Sequence, residues 1–319
     1  MLIENPKTYK GTEVENIFFR PSFCGKSADE LGIRVIYNMP MPTTVQVWSR
    51  PENVLQPFES GWSGGINANK MQKTIDMHKV KAETRFSAED YFSMIFEKII
   101  ASDAVGFGDL TGTELEKAET ELFRQAIAEG VRSTMWIGDT KGEISSLTTF
   151  NGFFRHIVDG GNKIAHTLLT DDEAPVAAID TLQRSWIQAS DELKALRSEG
   201  ELVYFVSSDL YNAYIEELDQ KGVDSAYNDV INGHATLYYH GIPVIEVALG
   251  NYDKNQFTTF CLLTDRRNMV LALNTSDMPE NEVRMWYNPD EMENRQRAVF
   301  LAGADIIDQR LISVIYSNY

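Results

Sequence analysis

Tyr238-Tyr239-His240-Gly241-Ile242-Pro243-Val244-Ile245-Glu246-Val247 opens the last third of the chain with a Gly-Ile-Pro-Val strand. Phe260-Cys261-Leu262-Leu263-Thr264-Asp265 and Asn268-Met269-Val270-Leu271-Ala272-Leu273 follow, and this apolar pair reads as a buried hairpin. Arg297-Ala298-Val299-Phe300-Leu301-Ala302-Gly303-Ala304-Asp305-Ile306-Ile307 and Leu311-Ile312-Ser313-Val314-Ile315-Tyr316 close the chain as a final paired strand. Strands therefore dominate from Tyr238 to Tyr319.

Helical patterns precede them. Ser87-Ala88-Glu89-Asp90 is a capping pattern opening a helix with Tyr91, Phe92, Ile95, Phe96, Ile99 and Ile100. Gly106, Gly108 and Gly112 break the chain, and Thr113 with Glu116 repeats the cap. Leu115, Ala118, Leu122 and Ala126 then predict a long amphipathic helix to about Trp136, spanning roughly 30 Å at ~1.5 Å per residue. A short helix is expected around Phe150–Ile157. Pro175 is expected to open another through Ala178, Leu182, Trp186, Ala189, Leu193 and Leu196. Glu201–Val206 reads as a buried strand, and Ser208 as the cap of a helix holding Leu210, Tyr214 and Leu218. Helix and strand mix without a βαβ repeat, which makes the class α+β.

The first ~80 residues differ from the rest. They hold six of the ten prolines (Pro6, Pro21, Pro40, Pro42, Pro51 and Pro57), each removing a backbone donor. Ile33–Tyr37 and Thr43–Trp48 read as short strands, the latter with Val45 and Val47 on one face. Ser63–Asn69 has a loop composition. Lys73–Thr84 reads as a further strand whose alternation slips register after Met77. An extended arm followed by a long hairpin cannot bury both of its faces alone. It needs a partner surface, either a neighbour or a β-subdomain of its own chain.

Composition limits the function classes. The 319 residues suggest roughly two domain-sized units. No apolar run approaches the ~18 residues of a bilayer span, and no membrane partner is expected. The N-terminus lacks a signal-peptide pattern. Two cysteines, Cys24 and Cys261, point to a cytosolic product with structural thiols. The net charge is -18, and residues 1–86 carry 11 basic against 9 acidic side chains. That leaves 18 basic against 38 acidic in residues 87–319. Nucleic-acid readers concentrate positive charge, so sequence-specific DNA or RNA binding is not expected.

Chemistry-bearing motifs are sparse. Gly61-Trp62-Ser63-Gly64-Gly65 matches the nucleophile elbow of hydrolases, but that motif needs a buried strand before it and a helix after it. Gln56–Ser60 and an Asn-rich loop flank it instead, which favours a loop tip over a serine hydrolase using Ser63. Gly106-Phe107-Gly108-Asp109-Leu110-Thr111-Gly112 spaces its last glycine one residue late for a dinucleotide fingerprint and lacks a preceding strand. His78, His156, His166, His234 and His240 form no i, i+4 metal motif. No catalytic residue, metal ligand or cofactor is predicted.

In order and spacing, the chain resembles the major capsid proteins of tailed double-stranded DNA phages, with the Hong Kong 97 fold. The resemblance rests on the Gly241-Ile242-Pro243-Val244 strand, on Ser207-Ser208-Asp209-Leu210-Tyr211 after a buried strand, and on Gly138-Asp139 before Phe150-Asn151-Gly152-Phe153. Arg284-Met285-Trp286-Tyr287 and Arg297–Phe300 complete it as long peripheral strands. It implies an N-terminal arm over 1–30 and an extended E-loop hairpin over 31–84. It further implies a peripheral domain over 85–160 and 270–298, with a long spine helix over 113–136, and an axial domain over 161–269 and 299–319. Function would be that of a structural subunit, not an enzyme, of an icosahedral phage or prophage shell. Hexamers and pentamers of this chain would enclose double-stranded DNA without sequence-specific binding. The implied setting is the virion, assembled in the bacterial host cytoplasm with a portal. Because Met1 leads almost directly into the arm, a separate scaffolding protein or none is expected. Aromatic and long side chains anchor interfaces, so the candidate assembly contacts are Arg20 and Phe23 in the arm and Trp48, Phe58, Trp62 and Met71 in the loop. An encapsulin-type nanocompartment shell shares the fold and is the alternative.

Overall fold

The computed structural model describes residues 7–9, 28–38, 43–48, 70–87, 114–161, 165–169, 177–221, 229–231, 234–249, 259–274 and 283–317. The helix expected from Ser87 onward and the Gly106–Gly112 turn lie outside them. The mixture of helix and strand is α+β, organised on two sheets.

A six-stranded sheet is built on β14 (Glu293–Ile306). β5 (His78–Ser87) pairs with β14 from Glu293 to Ala302. β13 (Val283–Asn288) pairs with Glu293–Arg297, and β12 (Met269–Asn274) with Leu301–Ile306. Both ladders overlap that of β5, so β13 and β12 lie end to end along the opposite edge of β14. β1 (Lys7–Tyr9) extends the sheet beyond β13, and β2 (Arg34–Tyr37) beyond β12. A seven-stranded sheet has the order β6 (Ala165–Leu169), β15 (Ile312–Ser317), β11 (Phe260–Asp265), β7 (Leu202–Val206), β10 (Ile242–Glu246), β9 (His234–Tyr239), β8 (Asp229–Ile231).

Alternation along the central strands shows why this second sheet is apolar throughout. In β7, Val203 and Phe205 join one core, while Leu202, Tyr204 and Val206 join another. In β11, Phe260 and Leu262 face the first core and Cys261 and Leu263 the second. Successive side chains leave a strand on opposite faces, so a strand covered on both sides reads as a continuous apolar run.

The first core lies against α1 (Glu114–Ile137) and α2 (Phe153–Gly160). The second lies under α3 (Ala178–Gln188), α4 (Asp191–Ala195) and α5 (Ser208–Lys221). Burial pushes the Cys261 thiol up to about 12, which leaves it neutral and structural.

α1 matches the expected long helix. Its end is crossed by the segment leading into α2: Gly152 N donates to Gly138 O at 2.8 Å. A Cβ on Gly152 would stand 2.5 Å from Thr134 O, so only glycine permits this approach. Three other local expectations are corrected. The helix expected to run through Leu196 stops at Gln188, because Ser190 turns extended and its side chain accepts from Leu193 N, capping α4. Ser208 is the first residue of α5 and not its cap; Ser207 precedes the helix, and its Oγ accepts from Phe260 N. The single strand expected over Lys73–Thr84 is two: β4 (Lys70–Ile75) ends before Asp76 and β5 begins at His78.

The expected buried hairpin is corrected as well. β11 and β12 are consecutive but lie in different sheets, and so do β14 and β15. The chain crosses between the sheets twice, side by side, at 266–268 and 307–311. Both crossings use the same turn. The Asp265 side chain accepts from Arg267 N and the Asp308 side chain from Arg310 N, and each arginine also grips its own aspartate. Arg267 reaches on to Glu199, and Arg310 to Glu192. Burial pushes the Asp308 carboxyl up, but its hydrogen bonds to Arg310 prevail and hold it below the ordinary 3.8. Its contribution is present above that value and is lost as pH falls through the lower folded value.

Buried Asn268 ties the two crossings together. Its Nδ2 donates to Asp308 O (2.9 Å), its Oδ1 accepts from Asp308 N (2.8 Å), and its carbonyl accepts from Ile307 N (2.9 Å). Asn268→Ala strands the Asp308 N–H and C=O and is expected to cost about 2–4 kcal/mol in denaturant unfolding. A loss within ~0.5 kcal/mol would show that the crossings hold without the clamp.

Candidate functional site

Two of the expected contact residues, Trp48 and Met71, lie on the hairpin of β3 (Thr43–Trp48) and β4, so its attachment sets what it can do. The ladder runs in register from Thr43↔Ile75 to Trp48↔Lys70, about 20 Å at ~3.3 Å per residue. Among the described residues β3 and β4 pair only with each other, which leaves both outer edges of the ladder open. A two-stranded ribbon is marginal by itself, and open edges are templates for further pairing.

Its base is secured on its own chain. Val45, Ile75 and Met77 pack on Val270, Ala272 and Leu301, the face of the six-stranded sheet turned away from α1. Gly303 allows the chain to pass closely there: a Cβ would lie 2.3 Å from Asp76 O. Lys73 reaches the same strand, pairing with Asp305 at 2.8 Å and donating to Ile306 O at 2.7 Å. Asp305 is only 5% exposed, and its Oδ1 also accepts from Ile306 N. His156 of α2 completes the cluster, with Nε2 donating to Ala304 O at 2.9 Å and Nδ1 3.7 Å from Asp305 Oδ1. One carboxylate thus joins loop and sheet, and His156 holds α2 to the same strand.

Sequence reasoning missed this anchor. A signal existed: Asp305 is the lone charge inside Val299–Ile307, and a charge inside a buried strand requires a partner. Lys73 and His156 are too distant in sequence to be matched with it. Of the expected contacts, Trp48 and Met71 stand at the end of the ladder remote from this base, where Trp48 pairs with Lys70 and Met71 with Val47. Arg20, Phe23, Phe58 and Trp62 lie outside the described residues, as does Ser63 of the hydrolase pattern. From the arm, β1 pairs with β13 (Lys7↔Met285 to Tyr9↔Val283), so this part of it closes an edge of its own sheet. The extended loop expected over 31–84 has both ends in that same sheet, at β2 and β5, with the free hairpin between them.

No family model and no curated protein matches the chain. Solved structures do share its fold from end to end. The satellite phage P4 procapsid including size determination (Sid) protein is similar at TM-score 0.61 and 10% identity, over 99% of this chain and 94% of that one. The capsid of an empty GTA particle is similar at 0.56 and 15%, over 99% and 95%. The holo-SrpI encapsulin complex from Synechococcus elongatus PCC 7942 is similar at 0.53 and 10%, over 97% and 96%. The fold is that of the Hong Kong 97-type shell proteins.

Lys73→Met leaves the Asp305 carboxylate without its cation. It is expected to cost about 2–3 kcal/mol in unfolding and to raise hydrogen exchange in β3 and β4. Combining it with Asp305→Asn should cost less than the two single changes added together. Additive losses would show that the pair is not coupled.

Proposed function

We propose that this chain is the structural subunit of an icosahedral phage or prophage capsid, with hexamers and pentamers enclosing double-stranded DNA. The observation that carries the reading is the β3–β4 hairpin, tied down at its base by Lys73 and Asp305 while its ladder stays open-edged. A ribbon built this way adds contact area on a neighbour without enlarging the domain. Likeness to shell proteins over nearly the full length of both chains supports it. In this role the chain works by covering surface and not as an enzyme.

The proposed division has the arm at 1–30, a loop whose free part is the β3–β4 hairpin, a peripheral unit on the six-stranded sheet and an axial unit on the seven-stranded one. The expected return to the axial unit after residue 298 belongs to this proposal; β14 itself runs on to Ile306. The acidic balance of residues 87–319 suits a wall that DNA slides past. A scaffolding protein, a portal and assembly in the host cytoplasm belong to the same proposal. The encapsulin-type compartment is a second reading, because that complex shares the fold over the same length, though at a lower TM-score than the two particle structures.

Negative-stain electron microscopy with light scattering on purified protein tests the proposal. Closed shells, rings or sheets of hexamers are expected, and shell size separates small compartments from phage heads. A compact monomer that never associates, even with a co-expressed scaffold, would refute it. Deleting residues 1–30 should leave a folded protomer that no longer assembles. Unfolding of that variant would mean that the arm belongs to its own core.

A further inference from the structure

The two open edges of the β3–β4 ladder differ in chemistry. β4 carries Lys70 and Lys73. β3 reads Thr43-Thr44-Val45-Gln46-Val47-Trp48, six residues of strong strand preference with no charge, proline or glycine. Strands that end a sheet are ordinarily guarded by charge, lysine above all. β5 pairs only with β14 among the described residues, and its outer side follows that rule with Lys79, Lys81, Glu83 and Arg85, all exposed. β3 breaks it. An uncharged segment of this length and composition, with backbone groups left unpaired, is the kind that adds a further strand. A ribbon of only two strands has the most to gain from one.

The sequence of β3 also fits itself. Laid antiparallel to the β3 of a second copy about a twofold axis at Gln46, it sets Val45 opposite Val47, Thr44 opposite Trp48 and Gln46 opposite Gln46. Pairs of β-branched residues, or of one with an aromatic, are favourable across strands. No like charges meet. Val45 and Val47 of both copies fall on one face, the side on which Val45 packs against Val270, Ala272 and Leu301. The antiparallel direction puts the two secured bases at opposite ends of the joint ribbon. Its outer edges are then both β4, and each β4 edge brings two lysines, so addition stops at two copies.

We propose that the β3 edge is a strand-addition surface whose occupant is the β3 of a second copy of this chain. The two strands run antiparallel about Gln46 and give a four-stranded ribbon in the order β4–β3–β3–β4. This contact is isologous, the same surface serving on both sides. The inference rests on the shell reading and names what the free hairpin grips.

Cysteine pairing tests the register. Directly opposite residues of an antiparallel pair have Cα atoms about 4.5–5.5 Å apart, within disulfide reach. Cys261 is buried, and Cys24→Ser removes the other native thiol. In that background Gln46→Cys should link assembled copies into covalent dimers on mild oxidation. Thr44→Cys and Trp48→Cys should not link alone, but should link when the two proteins are mixed before assembly. Gln46→Lys sets like charges face to face at the axis. It should raise the threshold concentration for assembly about tenfold or more and leave the melting temperature of the protomer within about 1 °C. Assembled shells without a link at position 46 would overturn the proposal and leave the shell reading standing, whereas dimers linked there without shells would do the reverse. Linking by Thr44→Cys alone as readily as by Gln46→Cys would overturn the register. An unchanged threshold in Gln46→Lys would overturn the contact itself. If Gln46→Cys does not fold, the mixture of Thr44→Cys and Trp48→Cys carries the same readout.

Discussion

Everything in this molecule hangs on the double passage of the chain between its two sheets. β11 leads into β12, and β14 leads into β15, so two neighbouring strand pairs change sheet at one place and in opposite directions. A backbone leaving a sheet must satisfy its polar groups elsewhere. Asn268 does this for both crossings, while paired Asp-x-Arg turns brace each one from outside. Relative placement of the sheets is therefore set by a few short polar contacts, and the shared apolar core under α1 and α2 fills in around them.

That junction also determines what the loop can do. Asp305 lies just before the second crossing and takes Lys73 from the hairpin, while His156 of α2 binds the adjacent Ala304 carbonyl. A hairpin fixed at one end and open along both edges transmits load to the sheet junction when something grips its far end. Open ladder edges of this kind are templates for further strand pairing.

Much of the fold was legible because the local signals agreed with one another. The capping residues and apolar spacing gave α1 almost to the residue, and the apolar runs of β7, β11 and β14 marked strands buried on both faces. Where the sequence misled, a local polar group had taken the backbone. Ser190 ended α3 early, and Asp265 turned an apparent hairpin into a crossing. The Lys73–Asp305–His156 anchor was visible only in part, since a lone buried aspartate demands a partner but does not name one.

From its sequence alone the chain determined element type and order, the α+β class and the division between a proline-rich, near-neutral start and an acidic remainder. These follow from periodicity, capping and charge, which act over a few residues. Tertiary structure decided which sheet each strand joined, where the chain crossed and which distant charges met. Alternation along a strand says that it has two covered faces, but not what covers them. The partners of Asn268 and Asp305 lie tens or hundreds of residues away, and only packing brings those segments together.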